Sequence, residues 1–339
     1  MSLIKINNKS LDGNYGRRNL IINGAMQVAQ RGTSSTGFVA TANYLTVDRF
    51  KCENGSSGTF TVTQATDAPT GFSNSLKFDC TSADASPDYF LIVHRFEGQN
   101  LQHLEKGTST SKKTTVSFHV KSNKTGTYQV NFRDVDNSRI NGKTYTISTA
   151  DTWEKKIVTF DGDISGTLGN DNNNSMQLEW WLASGSTYNS GAVPTAWEAI
   201  ANGDRAAGLN VAIGASTDDE FLITGIQMEV GDKATDFEHR SYDEELAACQ
   251  RYYSVPIPTG NLFCEPIDLS NNYRRASIAF PVSMRTSPTI TVTGVSSIGF
   301  LTNRPQVDGS SNNQYVEINA DGTGNGYSYL TNLTADAEL

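Results

Sequence analysis

Few residue types in this chain stand at spacings that do chemistry. The four histidines, His94, His103, His119 and His239, share no ligand spacing, and a zinc site needs its His, Cys or carboxylate ligands brought together in a tetrahedron. His119 falls on the polar face of an alternating stretch, so hydrogen-bonding roles are expected of the histidines rather than metal binding. No Gly-x-Ser-x-Gly elbow, phosphate loop or His-Glu-x-x-His pattern is present. A sugar hydrolase needs two acids flanking the scissile bond. Asp161/Asp163 and Asp218/Asp219/Glu220 are the available clusters; both read as solvated turn acids, and nothing singles out a proton donor. Asp134-Val-Asp-Asn-Ser-Arg139 begins like a calcium loop but has Arg139 where glycine is required and Tyr145 in place of the bidentate glutamate. It reads as a polar hairpin turn. The chain is not expected to be an enzyme.

One stretch suggests binding. In Met176–Ala183 (MQLEWWLA), Met176, Leu178, Trp180 and Leu182 share one face, and Gln177, Glu179 and Trp181 share the other. If the first face is core, Trp181 points outward beside a carboxylate and an amide. A flat ring of this kind stacks on the apolar face of a sugar while the polar neighbours bond its hydroxyls. The competing reading covers Trp181 with a loop or another subunit. Tyr188 and Trp197 follow in a loop-rich stretch and fit either arrangement. The candidate sugar contacts are therefore Trp181, Glu179, Gln177, Tyr188 and Trp197.

The elements that position these residues are strands. Thr59–Gln64, Thr115–Lys121 and Thr127–Arg133 alternate apolar and polar residues, the mark of antiparallel strands with one solvated face. Asn141-Gly142, Ser122–Gly126 and Asp161-Gly162-Asp163 supply turn chemistry between the runs. The pattern predicts an all-β chain: a jelly-roll β-sandwich over residues 18–240, a linking helix at 241–254 and a smaller C-terminal β-sandwich at 255–339. The helix is signalled by the Ser241-x-x-Glu244 capping box, by a stripe of Tyr242, Leu246, Cys249 and Tyr253, and by Pro256 and Pro258 beyond it. Ala276–Met284, Thr289–Thr293 and Gln314–Asn319 read as strands of the last unit, with Pro281 marking an edge or bulge. Some 80 residues bury only a modest core, so a neighbouring subunit is expected to complete that unit.

Composition agrees. Of 339 residues, 37% are hydrophobic and only 19% charged, against about 25% charged in an ordinary soluble domain. Ser, Thr, Asn and 29 glycines replace the missing charge. The net charge of −9 argues against nucleic acid, whose phosphates need clustered Lys and Arg. No signal peptide is read at the start, and no stretch approaches the roughly 20 apolar residues of a membrane span. Synthesis in a cytoplasm is expected, with Cys52, Cys80, Cys249 and Cys264 as buried thiols. Cys52–Cys80 is the one disulfide pairing kept open.

Two stretches are distinctive as a pair. Arg18-Asn-Leu-Ile-Ile-Asn-Gly-Ala-Met-Gln-Val-Ala-Gln-Arg-Gly32 is followed by Tyr44-Leu-Thr-Val-Asp-Arg-Phe50. Ile223-Thr-Gly-Ile-Gln-Met-Glu-Val-Gly231 leads through Ala234-Thr-Asp-Phe-Glu-His-Arg240 into Glu244-Glu-Leu-Ala-Ala-Cys-Gln-Arg-Tyr-Tyr253. Together with Trp153–Phe160 and Leu182–Gly185, this resembles a module of tail-fibre and other appendage proteins of tailed bacteriophages. The resemblance covers residues 18–253. It implies a virion protein with a jelly roll like that of carbohydrate-binding modules, the residues after 255 forming a variable tip.

Such modules often hold a structural calcium between their first and last strands. Here Ala25-Met26-Gln27 and Thr224-Gly225 stand where acids would help, leaving Asp48 with backbone carbonyls, so no cofactor is expected. Residues 1–17, with Leu3, Ile4, Ile6 and Leu11, read as an attachment hook for another virion protein of tail or capsid, or equally as an early strand. The expectation is a homo-oligomer, a trimer, adsorbing to host surface glycans without nucleic-acid or membrane partners. Capsid decoration or tail bridging without glycan binding is the structural alternative, and a polysaccharide depolymerase the enzymatic one.

Overall fold

A computed structural model describes residues 18–257, 262–268, 273–293, 296–298, 306–307, 312–321, 327–330 and 332–339. The attachment residues Leu3, Ile4, Ile6 and Leu11 lie outside the described residues.

The alternating stretches form two antiparallel sheets whose apolar sides meet. One sheet runs, edge to edge, β1 (Ser34–Phe38), β4 (Thr59–Ala65), β5 (Ser75–Ser82), β13 (Glu220–Val230), β7 (Thr114–Ser122) and β10 (Glu154–Phe160). The other runs β12 (Glu198–Ala199), β9 (Arg139–Ile147), β8 (Gly126–Asp134), β11 (Asn174–Ser184), β6 (Tyr89–Glu97), β3 (Phe50–Asn54) and β2 (Thr41–Tyr44). Strands neighbouring in space are distant in sequence, β13 between β5 and β7 and β11 between β6 and β8. This is a jelly-roll sandwich.

Between the sheets, Phe60, Val62, Phe78, Val116 and Phe118 face Phe90, Ile92, Val130, Leu178 and Trp180 in one fully buried core. Phe118 meets Trp180 edge to face at 6.0 Å and 83°. Each such side chain contributes about 1.5–3 kcal/mol relative to exposure. Asn141-Gly142 does not make a turn; it lies inside β9, with Asn141 fully buried. The Gly142 amide donates to the Pro194 carbonyl at 2.7 Å, and a Cβ there would meet Pro194 at 3.0 Å and Asn131 at 2.7 Å. Glycine is needed here for close approach of a loop rather than for a turn.

The capping box is present: Ser241 accepts from the Glu244 amide, and the Glu244 carboxylate accepts from the Ser241 amide. The helix it opens, α2 (Tyr242–Gln250), is shorter than expected, and its buried side chains are Glu245 and Cys249. Tyr242 is 54% exposed, and Tyr253 belongs to a strand, β14 (Tyr253–Ile257), which also contains Pro256. The buried line is set by Glu245, recruited by polar partners at the junction described below, which an apolar periodicity does not register.

Beyond α2, β14, β22 (Asn332–Asp336) and β17 (Thr289–Thr293) form a three-stranded sheet. A second sheet contains β18 (Ser296–Ile298), β21 (Tyr327–Leu330), β15 (Leu262–Asp268), β16 (Tyr273–Ala279), β20 (Tyr315–Asp321) and β19 (Gln306–Val307). Strand β16 ends before Pro281 instead of carrying it. The described core of this unit is small: Phe280, Met284, Val316 and Leu333 with Ala335 and Ala337. Cys52, Cys80 and Cys249 are buried free thiols, so Cys52 and Cys80 are not joined; the Cys264 side chain lies outside the described residues. No helix among the described residues is long and apolar enough to cross a membrane.

Candidate carbohydrate-binding face

Strand β11 sits in the middle of the seven-stranded sheet, and its two faces divide as the alternation predicts. Met176, Leu178, Trp180 and Leu182 enter the core, while Gln177, Glu179 and Trp181 point away from it. Outward does not mean exposed, however. Trp181 and Glu179 are each 0% accessible, and Gln177 is 5%. A segment that starts at the short helix α1 (Ser186–Asn189) folds back over the sheet, and Tyr188, Ala206 and Leu209 pack on Trp181, Leu91 and Val93. Trp181 is therefore not an open platform for a sugar ring. With Trp180 and Trp181 adjacent in a strand, one ring must leave the core face, and here the chain itself buries it.

Under that cover lies a polar knot. The Glu179 carboxylate accepts from Gln177 Nε2 at 2.7 Å, Arg205 Nη2 at 2.9 Å, Arg133 Nη1 at 3.4 Å and the Trp181 indole N–H at 3.2 Å. Arg205 also stands over the Trp181 ring at 5.0 Å and the Tyr188 ring at 5.5 Å, a cation–π arrangement. Burial pushes the Glu179 carboxyl up, but the charges of Arg205 and Arg133 and the hydrogen bonds outweigh it and bring the group down to about 2. A carboxyl held this low is not a proton donor near neutrality.

The same shift fixes a pH dependence. Glu179 releases its proton more readily folded than unfolded, so its contribution is complete above the ordinary carboxylate range near pH 4.5 and is lost as pH falls toward 2. The loss is about 3 kcal/mol. Urea midpoints measured between pH 5 and 2.5 should fall steeply, and a Glu179→Gln variant should show a flatter profile.

Tyr188 joins Trp181, at 5.2 Å between ring centroids, and meets Tyr89 edge to face at 5.5 Å. Both tyrosines are half-buried at the rim of the covered face. Trp197 does not join them. It packs on Phe132 at 5.7 Å at the edge of the main core, and its indole donates to the Asp161 carbonyl at 2.6 Å. A surface cavity of about 340 Å³ opens elsewhere, lined by Leu101, Gln102, Glu105, Thr108, Thr110 and Leu168 among others, with no aromatic ring to stack on. Missing from the sequence reading were Arg205, Arg133 and Tyr89. Arg133 was findable: it shares the polar phase of β8 and stands opposite Gln177 in the register.

The acid clusters are not solvated throughout as expected: Asp163 is 4% and Asp219 1% exposed, and Asp219 pairs with Lys124 at 3.2 Å. Lys106 bridges Asp134 at 2.5 Å and Asp163 at 3.0 Å, and Asp163 also holds Arg139 at 2.7 Å. Asp134–Arg139 is the β8–β9 hairpin turn, with lysine where a calcium ion would sit. Asp48 is fully buried and accepts from Gln30 at 2.6 Å, with Arg31 at 3.5 Å. An arginine already supplies positive charge there, so these donors do not fit a calcium site.

The two distinctive motifs meet in one corner where the sandwich hands over to α2. Asn19 accepts from the amides of Ile21 (3.0 Å) and Met228 (3.1 Å) and donates to the Ile226 carbonyl. Asn23, at φ 62°, donates to the carbonyls of Val28 and Asp48, and its amide donates to Glu245 at 2.5 Å. Arg240 donates to the Asn19 and Ile21 carbonyls and to Glu245, and Glu238 accepts from the amides of Arg18 and Asn19. Gly24 lies so close to β13 that a Cβ would stand 2.1 Å from the Ile226 carbonyl oxygen.

No family model matches the chain, and no curated protein does. Among solved structures, it is similar to the enzymatically active domain of tailspike protein 4 of bacteriophage CBA120, at 10% identity over 62% of this chain and 21% of that one, with a TM-score of 0.33. A putative sugar binding protein from Bacteroides thetaiotaomicron shares 9% identity over 63% of this chain and 100% of that one, with a TM-score of 0.32. The family 11 carbohydrate-binding module from Clostridium thermocellum, in complex with a mixed-linked tetrasaccharide, shares 11% over 60% and 98%, with a TM-score of 0.30.

Proposed function

We propose that the protein is a non-catalytic structural component of a tailed-bacteriophage appendage that adsorbs to host surface glycans. The observation that carries this reading is the corner: residues 18–32 and 44–50 of the first motif, and 223–253 of the second, form one hydrogen-bonded knot. The two motifs on which the resemblance rests are thus brought together at the junction between a jelly roll and the β-rich part that follows, which supports reading them as one module. Ion-paired carboxylates, Glu179 above all, support a non-enzymatic role. Weak glycan contacts on several linked subunits, a trimer in this reading, would gain avidity without new interactions.

With Trp181 covered, the rim tyrosines Tyr188 and Tyr89 are the aromatic groups this face offers a sugar. Tyr188→Ala should lower retention of the protein on immobilised host polysaccharide by roughly tenfold, the worth of one stacked ring. Unchanged retention would remove the rim from the site. The sealed Trp181 favours a second reading, in which the protein decorates the capsid or bridges tail parts without binding glycan. Electron microscopy of the intact particle separates the two: an exposed distal position supports adsorption, and contacts on every face support a bridge. New reducing ends on incubation with host polysaccharide would overturn both.

A further inference from the structure

Four arginines converge on the short segment Asp336–Leu339, which begins at the last residue of β22. Arg49 is completely buried, lies over the Tyr252 ring at 3.5 Å and pairs with Glu338, itself only 6% exposed. Arg31 lies over the Tyr253 ring at 3.6 Å and reaches Asp336 at 3.3 Å and Glu338 at 3.4 Å. Arg95, on the outward side of β6, donates to the Leu339 carbonyl, as does the Tyr44 hydroxyl at 3.3 Å. Arg285 donates to the carbonyls of Ala337 (2.8 Å) and Glu338 (3.1 Å), and its third nitrogen donates to the Asn172 carbonyl of the jelly roll at 2.9 Å.

We propose that the Arg31–Arg49–Arg95 cleft is a docking site for an acidic chain segment, filled by this chain's own Asp336–Leu339, and that the engaged segment latches the C-terminal β unit onto the jelly roll. Three observations point the same way. The guanidinium planes are held in place, Arg49 by stacking on Tyr252 and Arg31 by stacking on Tyr253. The ligand chemistry is specific: carboxylates and carbonyl oxygens face planar N–H donors that they match in geometry. And β22 is the central strand of its sheet, between β14 and β17, so what holds its end holds the small core of Leu333, Ala335 and Ala337. The inference does not rest on the glycan reading.

Hydrogen–deuterium exchange of the full chain tests it. Glu338→Gln removes the charge at constant shape, and Arg285→Gln removes the carbonyl clamp from the other side. Either change should speed exchange of the Ala335 and Ala337 amides about tenfold or more while amides of β11 stay as protected as in the parent. Asp336→Asn, at a half-exposed carboxylate, should have less effect. Exchange within twofold of the parent in both variants would overturn the latch. So would loss of β11 protection in step with β22, which would make the segment part of the jelly-roll core rather than a latch upon it.

Discussion

Glu179→Ala should lower the stability of the jelly roll by about 3–5 kcal/mol, the usual cost of removing one partner from a buried ion pair. The variant removes the carboxylate that Arg205, Arg133, the Gln177 amide and the Trp181 indole share, and leaves the fully buried Trp181 indole without its acceptor. Roughly 10 °C should be lost from the melting temperature, at about 2–4 °C per kcal/mol for a unit of this size. Glu179→Gln keeps the shape and some of the hydrogen bonds and should cost less. Calorimetry of the three proteins gives the order, and a Glu179→Ala protein that melts with the parent would show that the knot is ornamental.

Gly24→Ala is the second large effect. Its Cβ would stand 2.1 Å from the Ile226 carbonyl oxygen, a contact with backbone that no rotamer can relieve. The first motif would have to move away from β13, breaking the bond from the Ile226 amide to the Gly24 carbonyl (2.9 Å) and loosening the Asn19 contacts beside it. Overpacking of this kind costs about 1–3 kcal/mol, and lost corner bonds add about 1 kcal/mol each. A drop in urea midpoint should accompany faster exchange at the amides of Ile226 and Met228. Gly32→Ala is the comparison: Gly32 has a φ of 111°, a left-handed strain that Gly24 lacks, but nothing lies within 4 Å of the added carbon, so it should disturb local stability without opening the corner.

Much of the fold was legible in the chain itself. Period-two alternation identified β4, β7, β8 and β11, because a strand in a two-layer sandwich must bury alternate residues whatever its neighbours are. The capping box located the start of α2, because that signal is local. Asn141-Gly142 was misread as a turn for the complementary reason: the dipeptide suits a turn, but the approach of Pro194, over 50 residues away in sequence, called for glycine within a strand.

What the sequence determined by itself is therefore the strands β4, β7, β8 and β11, the face of each that is core, and the outward phase of Gln177, Glu179 and Trp181. Tertiary structure alone decided what lies on that outward face. Whether Trp181 meets solvent or a loop depends on where residues 186–209 return, and period and propensity carry no information on that path. The state of Glu179 depends in the same way on Arg205, brought from 26 residues away. The motif residues Asn19, Asn23, Gly24 and Arg240 were visible as a pattern from the start. Their reason, a corner in which backbone groups more than 200 residues apart are satisfied by buried side chains, exists only once the chain has closed on itself, because buried polar groups must find partners wherever the fold places them.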